Sequence, residues 1–332
     1  MNHPGTLLPL FAQAPNLPRR RLPRFGRASC LAVLAGMLAL AGCDGAAAPL
    51  TPTPEGARKT LSGTATIAWV SPTGTTATNP VTFKADATSD IVTIKYFADG
   101  TYLLGSSTDR ANFFAVTYKF SGVGVRRIYV RGYNSAGTQV AGAYKDFTIR
   151  DLIANVPYFF QYNNVYEPGA TCANTTMAML LKYYGANYTP DQIYTEFRKQ
   201  SQDEFKFDTI FNRLAARAGL KQRIRVHMET GSVAQMEAEL NKQRPVIIHG
   251  KFTSSGHVML LIGNDGTNYT MNDPAGVWGQ SLCNGAGYGG SGGAGVRYGR
   301  SIVGKAITTP WQGNCTYFDP NTVRYHETYL VP

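Results

Sequence analysis

A cysteine in the middle of this chain begins a segment that must form a buried helix. The apolar side chains that follow it recur at helical spacing: Met177, Met179, Leu180, Leu181 and Tyr184. Gly169-Ala170-Thr171 precedes the run, so the pattern predicts a helix that begins at Cys172. The free N–H groups and the positive dipole end of a helix start favour the thiolate, which is the nucleophilic form of cysteine. A buried structural cysteine is the alternative, because free cysteine is among the most buried residue types.

Farther along the chain, a histidine begins an apolar strand that turns back on itself. His257 follows the turn-prone run Ser254-Ser255-Gly256, and Asp265-Gly266 is a hairpin signal. Counted from a turn centred near Asp265, His257 lies eight residues before it and Asp273 eight residues after it. We therefore predict that these two side chains are neighbours across the hairpin and form a Cys-His-Asp set with Cys172.

The choice between Asn272 and Asp273 depends on the register of this hairpin. Adjacent side chains on a strand face opposite ways, so only one of the two can face His257. Symmetry about the turn favours Asp273, but a change of one residue in turn length would place Asn272 there instead.

Three segments resemble the bacterial peptidase-like domains related to bacteriocin leader peptidases, a branch of the papain-like cysteine peptidases. They are VPYFFQ, TCANTTMAMLLKYYG and PVIIHGKFTSSGHVMLLIGNDGTNYTMNDPAG. The resemblance covers roughly residues 153–280, and the order Gln, Cys, His, Asp is its most specific part. It implies that Cys172 is the nucleophile, His257 the base, Asp273 the orienting acid and Gln161 the oxyanion donor. Two features depart from the family pattern: Ala173 replaces a usual glycine, and Gln161 precedes Cys172 by eleven residues.

The resemblance implies an enzyme that cleaves a peptide or amide bond through a thioester. The same residues would also serve a transpeptidase or another acyltransferase. A protein of a different class, a lipid-anchored binding or adhesion protein with an inactive thiol domain, is the third interpretation. The expected partner is a peptide or protein substrate, with cell-wall peptides among the candidates.

The N-terminal segment has the pattern of an export signal. Five arginines precede an apolar run from Leu31 to Ala41, which is too short to span a bilayer. Leu40-Ala41-Gly42-Cys43 resembles the bacterial lipoprotein processing box, which implies removal of residues 1–42 and lipid on Cys43. An ordinary signal peptide is the alternative. Residues 43–62 are Pro-rich and small, so we expect a flexible tether on a protein anchored to the bacterial cell envelope.

Residues 63–150 have the pattern of an all-β domain. Six segments rich in β-branched and aromatic residues are predicted strands: 64–70, 81–85, 91–97, 113–120, 127–133 and 139–149. Short strands at regular spacing favour an antiparallel sandwich. The run RRIYVRGYNSAGTQV resembles the late strands of bacterial immunoglobulin-like modules, which implies a spacer or adhesive role.

Residues 151–332 alternate helix and strand. Thr189-Pro190-Asp191-Gln192 and Ser232 to Gln235 have the spacing of capping boxes, and a further helix is predicted from Asp208. Pro245 to Phe252 is predicted as a strand. The predicted fold is therefore an immunoglobulin-like sandwich followed by an α+β domain of the papain-like kind.

The charge and the cysteine content limit the classes of partner and cofactor that we expect. Loss of residues 1–42 lowers the formal net charge from +11 to +6, and the remaining basic residues lack interleaved aromatics, so we predict no nucleic-acid partner. Of the five cysteines, Cys30 would leave with the signal, Cys43 would carry lipid and Cys172 is the candidate nucleophile. Cys283 and Cys315 are left as a pair that could form a disulfide in an oxidising compartment. No CxxC or HExxH spacing occurs and the histidines show no partner pattern, so we predict no metal and no cofactor.

Replacing Cys43 tests the lipid anchor. We expect Cys43→Ser to give an uncleaved or freely soluble protein, because the polar tether alone would not hold the protein on a membrane. Membrane fractionation and intact mass measure this outcome. Unchanged mass and fractionation would contradict lipidation at Cys43.

Overall fold

The computed structural model describes residues 65–282, 288–308 and 318–332. The signal peptide predicted at 1–42, the tether at 43–62 with Cys43, and the disulfide pair Cys283 and Cys315 lie outside the described residues and stay predictions. None of the described helices is long and apolar enough to cross a membrane.

The N-terminal part consists of eight strands in the described residues. They are β1 (Ile67–Ser71), β2 (Thr76–Thr78), β3 (Val81–Ala87), β4 (Thr93–Ala98), β5 (Tyr102–Ser107), β6 (Val116–Tyr118), β7 (Gly124–Tyr133) and β8 (Gln139–Leu152). One sheet has the order β1-β3-β6, and the other contains β5-β4-β7-β8 with β2 parallel to β8. The alternating apolar side chains of both sheets meet in one core. There the ring centroid of Phe83 lies 5.8 Å from that of Tyr96 and 5.9 Å from that of Phe147.

Two of these strands, β2 and β5, were not predicted from the sequence. The strand predicted over 113–120 is also wrong in length, because only Val116–Tyr118 forms it. Phe113 and Phe114 have left-handed φ angles of 55° and 51° after a short 3-10 turn, so they cannot continue an extended strand. The other five predicted strands are present with shifted ends.

The C-terminal part contains five helices and eight strands in the described residues. The helices are α1 (Cys172–Tyr183), α2 (Pro190–Phe197), α3 (Phe207–Arg217), α4 (Val233–Asn241) and α5 (Arg300–Ile307). The strands are β9 (Gln222–Gly231), β10 (Val246–Gly250), β11 (His257–Asn264), β12 (Asn268–Asn272), β13 (Val277–Trp278), β14 (Tyr288–Gly289), β15 (Val296–Gly299) and β16 (Val323–Leu330). Both predicted capping boxes are present, at Thr189 with Gln192 and at Ser232 with Gln235.

A sheet with the strand order β8-β11-β10-β16-β9 forms the centre of this part, and β12 joins β11 to β15. The side chains of α1 and α3 pack on one face of the sheet, against Ile247, Val258 and Leu260. The side chains of α4 and α5 pack on the other face, against Ile248 and Met259. Because both faces are covered, every residue of β10 and β11 is buried.

The register of the β11–β12 hairpin differs from simple symmetry about Asp265. Leu260 pairs with Asn272, whereas Asn264 pairs with Tyr269, and an irregularity lies between Leu261 and Gly263. The turn is centred between Gly266 and Thr267 instead of near Asp265, and the irregularity changes the register by only one residue, so His257 is not directly opposite Asp273. The two residues nevertheless lie on the same face, because each is an odd number of residues from the Leu260–Asn272 pair.

Strand β8 belongs to both parts of the molecule. Its last residues pair with β11, Leu152 with Gly263 and Asp151 with Asn264, beyond the pair that the first residue of β10, Val246, forms with Leu261. Ile153 continues this contact by donating its N–H to the Ile262 carbonyl at 2.9 Å. All described residues belong to one compact unit, so the domain boundary at residue 150 and the immunoglobulin-like assignment stay predictions.

A buried asparagine links the two parts beside this strand. Asn79 donates to the Phe120 carbonyl at 2.8 Å and to Asp151 Oδ1 at 3.1 Å, and its own oxygen accepts from the Phe120 N–H at 2.9 Å. Asn79 and Asp151 are both 3% exposed. Their hydrogen bonds therefore satisfy polar groups that water does not reach.

Removing this amide should destabilise the folded protein. We expect Asn79→Ala to lower the free energy of unfolding by roughly 2–4 kcal/mol, because it leaves the buried Phe120 backbone and Asp151 Oδ1 without a partner. Asn112→Ala is the matched control, because Asn112 makes its Lys84 contact on the exposed surface and should cost less than about 0.5 kcal/mol. Urea unfolding measures both variants, and equal losses would contradict the role of Asn79.

Candidate active site

The helix start at Cys172 is held by a cluster of polar side chains. Asn164 donates its amide to the hydroxyls of Thr171 and Thr175, both at 2.9 Å, and the Thr175 hydroxyl donates to the Thr171 carbonyl. Residues 173–181 are buried, whereas Cys172 is only partly buried. The thiol is therefore the point at which this buried helix reaches the surface of a cavity.

His257 is the first residue of β11 and follows a glycine in a left-handed conformation. Gly256 has a φ of 83°, which a side chain would strain, and this bend turns the chain into the strand. The His257 ring is buried, and its Nε2 lies 2.9 Å from Asp273 Oδ1. Since Nε2 contacts the carboxylate, Nδ1 is the ring nitrogen that remains for the Cys172 thiol.

Asp273 is fixed in place by further hydrogen bonds to its side chain and its backbone. Its Oδ1 also accepts from the Ala275 N–H at 3.0 Å, and its Oδ2 accepts from the Tyr298 hydroxyl at 2.8 Å. Its backbone N–H donates to the Gly293 carbonyl at 2.8 Å. A carboxylate held on both oxygens can fix the tautomer and orientation of the histidine ring.

Asn272 faces away from this histidine. Its amide donates to the Pro157 carbonyl at 3.1 Å and to the Val156 carbonyl at 3.4 Å, and its oxygen accepts from the Gly295 N–H. The structure therefore brings Asp273 to His257 and gives Asn272 a part in holding the neighbouring loops.

Cys172 and His257 each shift the pKa of the other. Burial disfavours the Cys172 thiolate, but the charge of His257 and hydrogen bonds from His257, Val258 and Ala173 together lower the thiol pKa below its usual value. Burial likewise disfavours the His257 imidazolium, but Asp273 and Cys172 raise its pKa to about 10. Each group therefore favours the charged form of the other, which favours the thiolate–imidazolium pair.

Gln161 lies in a short 3-10 turn, Gln161–Asn163, and lines the same cavity as Cys172. Its backbone N–H donates to the Pro274 carbonyl at 2.8 Å, and its side-chain Nε2 donates to the Pro168 carbonyl at 3.0 Å. One N–H of the amide has no partner in these contacts. These bonds tie Gln161 to the segments that follow Asp273 and precede Cys172.

The cavity that contains these groups has a volume of about 620 Å³. Its wall includes Gln161, Cys172, His257 and the turn from Thr253 to Gly256. A pocket of this size can hold a few residues of an extended peptide beside the thiol.

Tyr288 is a residue of the site that the sequence did not reveal. Its ring centroid lies 5.0 Å from that of His257, and burial raises the pKa of its hydroxyl, which keeps this group neutral. Tyr288 lies in a glycine-rich stretch without periodicity, so no pattern marked it. Its ring packs against the imidazole in the cavity wall.

The rate of alkylation should report the activated thiol. We expect iodoacetamide to modify Cys172 rapidly well below the ordinary thiol pKa of about 8.5, since the lowered pKa preserves the thiolate there. His257→Ala should move the titration to 8.5 or above, because burial then acts without the opposing charge. The modified Cys172 peptide is quantified by mass spectrometry against pH.

The matched control for this experiment is His227→Ala. His227 contacts Glu327 at 2.9 Å and is not in the cavity wall, so its loss should leave the Cys172 profile unchanged. A wild-type rate that follows an ordinary thiol titration would contradict activation by His257.

Comparison with known proteins gives one family match. Residues 153–283, which include Gln161, Cys172, His257 and Asp273, match the Peptidase_C39 like family. No curated protein matches this chain. A solved structure from Bacillus anthracis described as a C39-like peptidase is 14% identical, with 55% of this chain and 99% of that chain covered and a TM-score of 0.37. Fibronectin(III)-like modules of CbhA from Clostridium thermocellum are also 14% identical, with 25% of this chain and 94% of that chain covered and a TM-score of 0.22. The family match thus supports a C39-like, papain-like peptidase domain within the C-terminal part.

Proposed function

We propose that the C-terminal part is a cysteine peptidase or amidase that cleaves a peptide or amide bond. One observation carries this proposal: in the wall of a cavity, the His257 ring contacts Asp273 at 2.9 Å and lies close enough to the Cys172 thiol to lower its pKa. A structural cysteine needs neither a buried imidazole–carboxylate pair nor access to a cavity.

The reaction begins with proton transfer from Cys172 to His257. The thiolate sulfur attacks the carbonyl carbon of the substrate, and the C=O electron pair moves to the oxygen. When the C–N bond breaks, the His257 imidazolium gives its proton to the leaving amine, and a thioester remains on Cys172. His257 then takes a proton from water, the hydroxide displaces the thiolate, and the carboxylic acid product leaves.

The oxyanion of this reaction would be held by two N–H groups. Among the contacts of the described residues, the backbone N–H of Cys172 has no acceptor, as is usual for the first N–H groups of a helix. The second N–H group is the unpaired one on the Gln161 amide. Both belong to groups in the cavity wall beside the sulfur, where developing negative charge is most stabilised by fixed donors.

Our proposal for the location of the protein in the cell is based on the sequence alone. The export signal and the processing box at Cys43 support a lipid-anchored protein of the bacterial cell envelope, and the N-terminal strands of the immunoglobulin-like type would act as a spacer. Peptides and proteins at the envelope are then the substrates within reach. The open question of hydrolysis or acyl transfer is settled by adding an amine acceptor and identifying the products.

The order of effects at three positions tests the proposed chemistry. With a library of quenched peptides, we expect Cys172→Ala to abolish turnover and Asp273→Ala to lower kcat/KM roughly 10²- to 10⁴-fold, because the imidazole loses its orienting group. Asn272→Ala should instead lower the free energy of unfolding by roughly 1–3 kcal/mol, since it removes loop contacts, with a much smaller change in kcat/KM. Folding of each variant is checked by circular dichroism. A larger kinetic loss in folded Asn272→Ala than in Asp273→Ala would overturn the assignment.

A further inference from the structure

A buried tyrosine bonds to the carboxylate oxygen of Asp273 that His257 does not contact. Asp273 presents Oδ1 to His257 Nε2 at 2.9 Å, whereas its Oδ2 accepts from the Tyr298 hydroxyl at 2.8 Å. Asp273 and Tyr298 are 0% and 1% exposed, so this contact is shielded from bulk water. Tyr298 is not in the wall of the cavity. Any effect of its hydroxyl on a substrate must therefore pass through Asp273 and His257.

The neighbours of the Tyr298 hydroxyl determine where its proton lies. The Trp278 N–H donates to the hydroxyl oxygen at 2.7 Å, and the hydroxyl has a single proton to donate in turn. The acceptors within reach are Asp273 Oδ2 at 2.8 Å and the Gly276 carbonyl at 3.4 Å. A carboxylate is the stronger acceptor of the two and here it is also the closer. The hydroxyl therefore donates to Asp273.

The ring of Tyr298 is held as firmly as its hydroxyl. Strand β15 pairs with β12, the strand that ends directly before Asp273, and Tyr298 lies opposite Tyr269 in this pairing. The rings of Tyr298 and Trp278 meet edge to face, with centroids 5.5 Å apart. Because strand pairing and ring packing fix the phenol, its hydroxyl can act as a fixed donor to the carboxylate.

Two other tyrosines lie near Asp273, but neither bonds to its carboxylate among the described contacts. The Tyr158 hydroxyl donates to the Asp273 backbone carbonyl at 3.1 Å, and the Tyr288 hydroxyl has no partner among the residues that the structure describes. Burial and the Asp273 charge raise the pKa of all three hydroxyls, which therefore stay neutral. Tyr298 is thus the one tyrosine of the three that acts directly on the carboxylate.

We propose that Tyr298 is a positioning residue of the proposed reaction. Its hydroxyl holds the Asp273 carboxylate in the rotation that directs Oδ1 at His257. Without this bond, Oδ2 would be buried with no side-chain donor, and the carboxylate would be free to turn about its Cβ–Cγ bond. The imidazole would then lose its orienting group for part of the time. This inference rests on the proposed function and adds a residue to the same site.

The first test removes the hydroxyl and keeps the ring. We expect Tyr298→Phe to lower kcat for a cleaved quenched peptide about tenfold, as the loss of one charge-assisted hydrogen bond would give. KM should stay nearly unchanged, because Tyr298 does not line the cavity. Folding is checked by circular dichroism.

The matched control is Tyr269→Phe. Tyr269 lies opposite Tyr298, is equally buried, and donates its hydroxyl at 2.5 Å to a different carboxylate, that of Glu237, which is not in the cavity wall. Its loss should leave kcat within about twofold of the wild-type value. An equal fall of kcat in both variants would show a structural role and overturn the inference.

A double-mutant cycle separates positioning from a general loss of packing. In the Asp273→Ala background the hydroxyl has no carboxylate to hold, so adding Tyr298→Phe should change kcat by less than about twofold. A tenfold fall in this background as well would show that the effect does not pass through Asp273, and would contradict the proposed role.

A second replacement tests the same contact in a protein that keeps the hydroxyl. Tyr298→3-fluorotyrosine makes the phenol more acidic and therefore a stronger donor to Asp273. The better-stabilised carboxylate then holds the His257 imidazolium less strongly, and the Cys172 thiolate loses part of its support. We expect the midpoint of Cys172 alkylation against pH to rise, whereas Tyr269→3-fluorotyrosine should leave it unchanged. An unmoved midpoint with the replacement at Tyr298 would overturn the inference even where Tyr298→Phe does not fold.

The outcomes distinguish this role from the proposed function. Cleavage by the wild-type protein together with an unaltered kcat in folded Tyr298→Phe would overturn the positioning role alone. Failure of the wild-type protein to cleave any peptide above the Cys172→Ala background would overturn the proposed function and, with it, the role of Tyr298 in that reaction.

Discussion

The hydrogen bond between His257 and Asp273 is the contact on which the rest of the candidate site depends. It joins the start of β11 to the end of β12, and the two strands hold these groups on one face of a buried hairpin. A buried carboxylate and a buried imidazole are each costly alone, but the pair and the hydrogen bonds around it offset that cost. The same pair determines the electrostatics of Cys172, because the imidazolium favours the thiolate.

The sequence predicted the helix starts well, because the signal for a helix start depends on residues only a few positions apart. The helix start at Cys172 and the capping boxes at Thr189 and Ser232 are present as predicted. Residues 153–283 also match the family that the motifs suggested, at the level of a C39-like peptidase. The neighbours of His257 were predicted from symmetry about a turn, and the structure brings Asp273 to it through a different register.

What the sequence could not predict depends on distant contacts. The bulge near Gly263 shifts the hairpin pairing, and no composition signal marks it. β16 pairs with both β9 and β10, which places His326 beside His249 across 77 positions of sequence. Tyr288 reaches His257 from β14, in a glycine-rich stretch of sequence that has no periodicity. Likewise, the last residues of β8 pair with β11, although the change in sequence pattern near residue 150 predicted a boundary between two domains there.

The glycine-rich loop before β15 approaches the site very closely at Gly293, whose carbonyl accepts the Asp273 N–H. A Cβ atom at this position would lie 2.0 Å from the Asp273 carbonyl oxygen and 2.6 Å from the Tyr158 hydroxyl. Even alanine would therefore push the loop away from the strand end that carries the carboxylate. A stretch with little apolar content would ordinarily accept many substitutions. At this one position the loop can therefore accept only glycine, so the placement of the Asp273 carboxylate depends on the absence of a side chain there.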